Sequence, residues 1–328
     1  MKLEHPVSIC GVGTVLPESE AQRVAAVAGR EHKVLRVDLT REPLAARQNE
    51  SRLRRASPLT VFMLEAAQQA LGAAGAVDPS TLGVVAALHL GTIAWTHRFY
   101  EGVLKSGQRF ASPNLFPETV FNSAASHIAA VIGVAGPCYT VVGDDSAWVT
   151  AIAVAACWLA NGSAEHVLVI GGEEFDSLEL DAYEQARWLR HDGRFVPSEG
   201  AGAVLLRRAR ADDAVRVVAV AEGFTYRNAA EARVAAEELF AEFPDVRDVC
   251  RTAEHKWLAP IEAQIHHDRK LVAPPPGPYR GEAFTASAAW DTIHAAGHVR
   301  ETGQPLLLPV WGQSEQCSAL LLAGKPLK

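Results

Sequence analysis

The stretch GPCYTVVGDDSAWVTAIAVAACWLANGSAEHVLVIGGEE, residues 136–174, sets a sharp polar turn carrying Asp145 and Ser146 between an apolar strand and a small-residue helix. The pattern predicts a buried strand, the turn, a helix from about Ser146 to Leu159, a glycine turn and a second buried strand over Val167–Ile170. A side chain on such an elbow sits at a helix N-terminus, where free N–H groups and the dipole lower a thiol's pKa and can bind a developing oxyanion. A covalent nucleophile would stand here, yet the residue is Asp145. Read on its own, that carboxylate is most simply an N-cap. Ser146 has no histidine base near it in sequence and reads as a cap or packing residue. Cys138, early in the strand, reads as a small buried hydrophobe. His266 and His267 precede Asp268, Arg269 and Lys270 in a polar stretch that reads as solvated surface, with no further ligand to complete a metal set.

Alternating strands and helices must hold this turn, which points to an α/β layered fold. RRASPLTVFMLEAAQQALGAAG (54–75) reads as a helix after Ser57-Pro58, ended near Gly75, and LGVVAALHLG (82–91) as a buried strand. VRVVAVAEGF (215–224) opens a second lobe after a linker near residues 209–214, followed by a helix over 231–243. PPPGP (274–278) is a stiff polyproline-like spacer before a turn at Gly281.

Several motifs resemble the β-ketoacyl synthases of the thiolase superfamily, whose elbow reads roughly G-P-x-x-T-V-x-x-A-C-S-S. Laid on Gly136, Pro137, Thr140 and Val141, the family's acyl-accepting cysteine falls at Asp145 and its next serine at Ser146. VSICGVGTV (7–15) is similar to the family's first strand and turn, residues 112–137 to its approach to the elbow, and SEGAGAVLL (198–206) to its S-E-G-A block. YRGEAFTASAAWDTIHAA (279–296) resembles the G-H-T-x-x-A-S-G-A helix start, which puts Glu282 at the second histidine. Counting back from PIE (260–262), Arg251 falls at the first histidine, and PVWGQSEQCSALLLAG (309–324) resembles the glycine-rich last turn and strand.

The resemblance implies a thiolase-like αβαβα fold of two pseudo-duplicated halves, 1–210 and a shortened 211–328, forming one interlocked unit. All three catalytic positions (Asp145, Arg251, Glu282) differ in chemistry from the family. A carboxylate is a poor acyl acceptor from a thioester, and neither Arg nor Glu reproduces the imidazole donors that stabilise an enolate. The expectation is therefore a chain length factor: a non-catalytic subunit that pairs with an active synthase and shapes the acyl tunnel for carrier-bound polyketide, polyene or fatty-acyl chains. No cofactor and no metal are expected. The alternative is a free-standing acyltransferase or malonyl decarboxylase, with Arg251 pairing a malonyl carboxylate. If a working histidine pair exists, His255 and His294 are the candidates.

Phe110, Phe116 and Phe121, spaced by Pro113 and Pro117, lie in a stiff extended stretch. The family uses the corresponding region across its dimer interface, while core packing is the plainer reading. With Cys138, Tyr139 and Trp148 they form the expected tunnel and interface set. Trp148, Trp158 and Trp290 are large enough to fill a former active site. The strand CYTVV (138–142) is expected to pair across a two-fold axis, in a heterodimer with a synthase or a homodimer when produced alone.

Composition fits these expectations. The chain has 328 residues, 48% of them hydrophobic, enough for an ample core. A formal charge of −7 gives no basic footprint for nucleic acid, so an acidic carrier protein must be met by a local basic patch. Five scattered cysteines (10, 138, 157, 250, 317) suit a reducing cytoplasm and predict no disulfide. No signal-peptide pattern or apolar run of about 18 residues is visible, so a cytoplasmic location away from the membrane is expected.

Overall fold

The computed structural model describes residues 2–18, 22–25, 31–186, 188–189, 195–255, 257–278, 280–312 and 316–325. In chain order its elements are β1 (Lys2–Val15), β2 (Gln22–Ala25), β3 (Glu31–Val34), α1 (Leu44–Asn49), α2 (Pro58–Ala74), β4 (Leu82–Leu88), α3 (Ile93–Ser106), α4 (Ser123–Ile132) and β5 (Cys138–Val142). They continue with α5 (Ala147–Asn161), β6 (His166–Glu173), α6 (Ser177–Gln185), β7 (Gly200–Arg208), β8 (Val215–Thr225), α7 (Ala229–Ala241), α8 (Ala259–Arg269), α9 (Thr285–Thr302), β9 (Leu306–Trp311) and β10 (Gln316–Gly324).

Local signals explain most boundaries. Ser57 caps α2 by accepting the Thr60 N–H at 3.2 Å, and Pro58 occupies the first turn, where no N–H is needed. The apolar run of β4 is buried along its whole length, as expected of a strand covered on both faces. The strand expected over 82–91 stops at Leu88, because the next two backbone N–H groups turn to the Glu173 carboxylate. The strand expected over Val167–Ile170 runs on to Glu173, since Gly171, Gly172 and Glu173 keep their register with Gly202, Ala201 and Gly200.

Eight strands form one sheet in the order β5-β4-β6-β7-β1-β8-β10-β9. The β5-β4-β6 contacts are parallel and the others antiparallel. β1 pairs with both β7 and β8, so residues on either side of position 210 share one ladder. Three apolar clusters define the layers. The outer face of β4, β6 and β7 packs on α2 and α4, and the outer face of β8, β9 and β10 on α7 and α8. Between them α5 and α9 are clasped by the inner faces of both halves of the sheet. The result is the expected αβαβα arrangement. Close approach at its centre needs glycine: a Cβ at Gly171 would lie 2.3 Å from the Thr285 carbonyl oxygen at the start of α9. Among the described residues no helix is long and apolar enough to cross a membrane.

Candidate functional site: the elbow, its cavity and the open sheet edge

β5 delivers the chain to the elbow and α5 carries it away. Asp144 Oδ1 accepts the Ser146 N–H at 3.1 Å, and the carbonyls of Asp144 and Asp145 accept the N–H groups of Ala147 and Trp148. The N-cap position is Ser146, whose side chain makes no capping bond. The carboxylate that serves the helix start is thus Asp144, one residue before the expected one, because the tight first turn points its oxygen at the free N–H. The Ser146 hydroxyl donates to the Gln316 carbonyl at 3.3 Å. Gly312 presses on the other side: a Cβ there would lie 1.8 Å from Asp144 Oδ2, so a larger residue would displace that carboxylate. The flanks of the closing turn therefore hold the elbow in place, while Gln313, Ser314 and Glu315 lie outside the described residues, as does Tyr279 of the α9 approach.

Asp145 is buried and borders a cavity of about 90 Å³ that is also lined by Arg251, His255, Arg280, Glu282 and Asp291. The three positions singled out at the elbow and in the C-terminal third thus share one space. Glu262 fixes the loop behind Arg251, accepting the N–H groups of Thr252 and Ala253 at 3.1 Å each and the Trp311 Nε1–H at 2.8 Å. Glu282 is tied on both sides. Its N–H donates to the Val196 carbonyl and its own carbonyl accepts from Ser198, while its Oε1 accepts the Phe284 N–H at 2.8 Å. Phe284 holds a φ of 47°, a conformation unusual for a bulky residue, at the entrance to α9. Burial, with the nearby Glu282 charge, pushes the Asp291 carboxyl up to about 7, against the opposing pull of Arg280.

At the cavity wall His255 joins an aromatic group whose other members the sequence reading did not select. Phe284 stacks on His89 with centroids 4.1 Å apart. Tyr183, Trp188 and Phe195 lie 5.5–5.7 Å from one another. His255 closes the group against Trp257 at 5.7 Å and Trp188 at 6.1 Å. These residues come from separate segments spread between His89 and Phe284, so no local pattern announces them. Of the expected tryptophans, Trp290 lines the cavity and bonds the Ala201 carbonyl at 2.9 Å, while Trp148 is fully buried and bonds Thr292 Oγ1 across α5 and α9 at 2.8 Å. Trp158 packs half-buried against the same core.

Two surface readings change. His266 is 2% exposed, because the turn of α8 rotates it inward while His267 faces solvent. Cys138, expected to be buried, is exposed because β5 is the edge of the sheet. His294 lies away from Asp145, its Nε2 3.1 Å from the Pro275 carbonyl. No group of three or more metal-binding side chains occurs among the described residues.

Around the β5 edge the surface is apolar. Phe121, Tyr139 and Val142 are exposed there; Phe110, Phe116 and Leu104 are exposed as well, so the three phenylalanines are not core residues. A groove of about 680 Å³ runs between β5 and α4, lined by Phe121, Ala129, Cys138, Tyr139 and Val142.

The family model of the β-ketoacyl synthase N-terminal domain matches residues 14–212. A protein of Streptomyces cyaneus carrying the name polyketide β-ketoacyl synthase 2 is 26% identical over 291 residues, covering 75% of this chain and 68% of the relative. Among solved structures, the ishigamide ketosynthase/chain length factor superposes with a TM-score of 0.76 at 19% identity, over 97% of this chain and 99% of that one. A β-ketoacyl synthase from Burkholderia phymatum gives 0.79 at 12% identity, over 98% and 99%. A type II polyketide acyl-carrier protein complex with its ketosynthase bound to the hexaketide gives 0.74 at 17%, over 98% and 100%. The fold is that of the thiolase-like ketosynthases, and the chain belongs to the β-ketoacyl synthase family.

Proposed function

We propose that this chain is a chain-length-factor-like subunit: it accepts no acyl group itself, pairs with an active β-ketoacyl synthase, and shapes the acyl tunnel during carrier-bound chain elongation. The observation that carries this reading is Asp145 at the elbow, sharing one cavity with Arg251 and Glu282. An acyl carboxylate at Asp145 would be a mixed anhydride, uphill from a thioester. Two donors to an enolate are also replaced, and loss of one such donor typically costs about 100- to 1,000-fold. Residues 1–210 and 211–328 are then the two ketosynthase-like halves of a single pseudo-catalytic unit.

The partners follow from the surface. The β5 edge, with Phe121 and Tyr139, and the exposed Phe110 and Phe116 offer unpaired backbone groups and apolar side chains to a synthase, or to a second copy when the chain is alone. For an acidic acyl carrier protein, Arg52, Arg54 and Arg55 before α2 are exposed and make no ion pair among the described residues. The solved relatives include a ketosynthase/chain length factor and a carrier complex of a ketosynthase, which supports both partners by analogy of fold. The role belongs in the cytoplasm, where the free cysteines stay reduced.

Co-expression with a candidate synthase tests the reading. The partner's yield, condensing activity and product length should depend on this chain, and a synthase equally stable, active and length-selective without it would sink the proposal. One observation favours a second reading, malonyl decarboxylation or acyl transfer: Arg251 and His255 border the same cavity as Asp145. Turnover of a malonyl carrier thioester by the isolated chain, abolished in Asp145→Ala and Arg251→Ala, would select it.

A further inference from the structure

Two guanidinium groups face the elbow cavity, Arg251 from the loop held by Glu262 and Arg280 from the strap before α9. Neither makes an ion pair among the described residues. The Arg280 Nε is buried with no hydrogen-bond partner there, and its Cζ stands 6.0 Å from the centre of the Trp290 ring. Arg251 is exposed and its guanidinium meets solvent, whereas the half-buried Arg280 carries the cost of a charged donor left unmet inside a protein, and a planar guanidinium fork matches a carboxylate. Four carboxyls share the cavity, Asp145, Glu254, Glu282 and Asp291, and burial with the neighbouring Glu282 and Asp291 charges pushes Glu254 up to about 8, which favours its neutral form. Glu282 holds the Phe284 N–H, and burial pushes Asp291 up to about 7, so that much of it is neutral near physiological pH.

The cavity does not end at Arg251. A second chamber of about 260 Å³ shares Arg251, Thr252, Pro276, Gly277 and Asp291 with the first. Its remaining walls are largely apolar: Cys250, Ala273, Pro274, Pro275 and Leu308. Thr252 Oγ1 is engaged with the Pro309 carbonyl at 2.7 Å, and the His294 ring stands at the rim beside Pro275. A cationic polar chamber and an apolar chamber therefore lie side by side, with Arg251, Thr252, Pro276, Gly277 and Asp291 as their common wall.

We propose that the adjoining chambers bind a small free monocarboxylic acid, its carboxylate on Arg251 and Arg280 and its short aliphatic tail against Ala273, Leu308 and the prolines. The site needs neither carrier nor synthase, so it stands or falls independently of the subunit role. Such a ligand is held without a covalent bond, and the same surface that lacks a nucleophile becomes a binding pocket.

Isothermal titration of the full chain with acetate, butyrate and hexanoate tests this. Expected is saturable one-to-one binding that tightens by about fourfold per added methylene until the outer chamber is full, with no binding of methyl hexanoate. Arg280→Gln should weaken hexanoate binding by about tenfold or more, and Ala273→Phe should flatten the chain-length series while acetate still binds. Thermal unfolding of each variant checks folding, and Arg280→Lys replaces Arg280→Gln if that variant does not fold. Absence of saturation with every acid, equal binding of hexanoate and its methyl ester, or unchanged affinity in both variants would overturn the site. Tighter binding of hexyl phosphate than of hexanoate would overturn its assignment to a carboxylate.

Discussion

The two ends of the eight-stranded sheet are finished in opposite ways. At one end β9 is buried along its whole length. Leu307 bridges Val249, and Trp311 is anchored on the Glu262 carboxylate under α8. At the other end β5 has no outer neighbour among the described residues, and Tyr139 and Val142 are 55% and 47% exposed. A bare apolar edge is a liability that a chain managing alone would cover or charge. One end of this sheet is covered by its own chain, and the other is the edge that the proposed synthase partner would cover.

Mutations at the two ends should therefore separate stability from association. The largest effect is expected at the closed end. Trp311→Ala removes a buried ring and leaves Glu262 short of a donor, for a loss of about 3–5 kcal/mol in urea unfolding. Tyr139→Ala on β5 should stay within about 0.5 kcal/mol in the same assay. Equal losses at both sites would mean that the β5 edge is part of the chain's own core.

The buried carboxyls of the closed interior give the next effect. Glu173 is pushed up to about 8 by burial, although it accepts from the N–H groups of His89 and Leu90 and the Thr285 hydroxyl. A carboxyl with a raised folded-state pKa keeps its proton in the native state longer than in the unfolded chain. Its contribution is complete below the unfolded value near 4.5 and is lost as pH rises through about 8. Stability should fall by a few kcal/mol between pH 5 and about 8, and Glu173→Gln should flatten that slope. A wild-type slope of opposite sign would contradict the burial argument.

At the open end, Tyr139→Asp with Val142→Lys should weaken capture of a partner synthase by about 100-fold, roughly 2.7 kcal/mol, while the variant's own unfolding midpoint stays nearly fixed. Size-exclusion chromatography and co-purification read this directly. Unimpaired pairing would move the interface elsewhere.

The smallest effect is expected at the elbow itself. Asp145→Cys should not restore carbon–carbon bond formation from acyl and malonyl carrier proteins, even if thiol labelling shows a reactive cysteine at the start of α5. Robust condensation would assign the histidine role to His255, which borders the same cavity.

The sequence alone determined the strand-elbow-helix-strand unit, the caps of α2 and the order of layers. These depend on near-neighbour rules: Ser57-Pro58 starts a helix wherever it stands, and a continuous apolar run such as β4 must be covered on both faces. It also named Asp145, Arg251 and Glu282, because family motifs fix their separations along the chain. Tertiary structure decided what surrounds them. Only folding brings Tyr183, Trp188, Phe195, His255 and Phe284 together, turns His266 inward, gives the capping bond to Asp144 and leaves Cys138 on an open edge. The physical reason is range: capping and periodicity act over a few residues, whereas burial and cavity shape depend on segments more than a hundred residues apart. A strand's own sequence does not say whether it will have a neighbour on both sides.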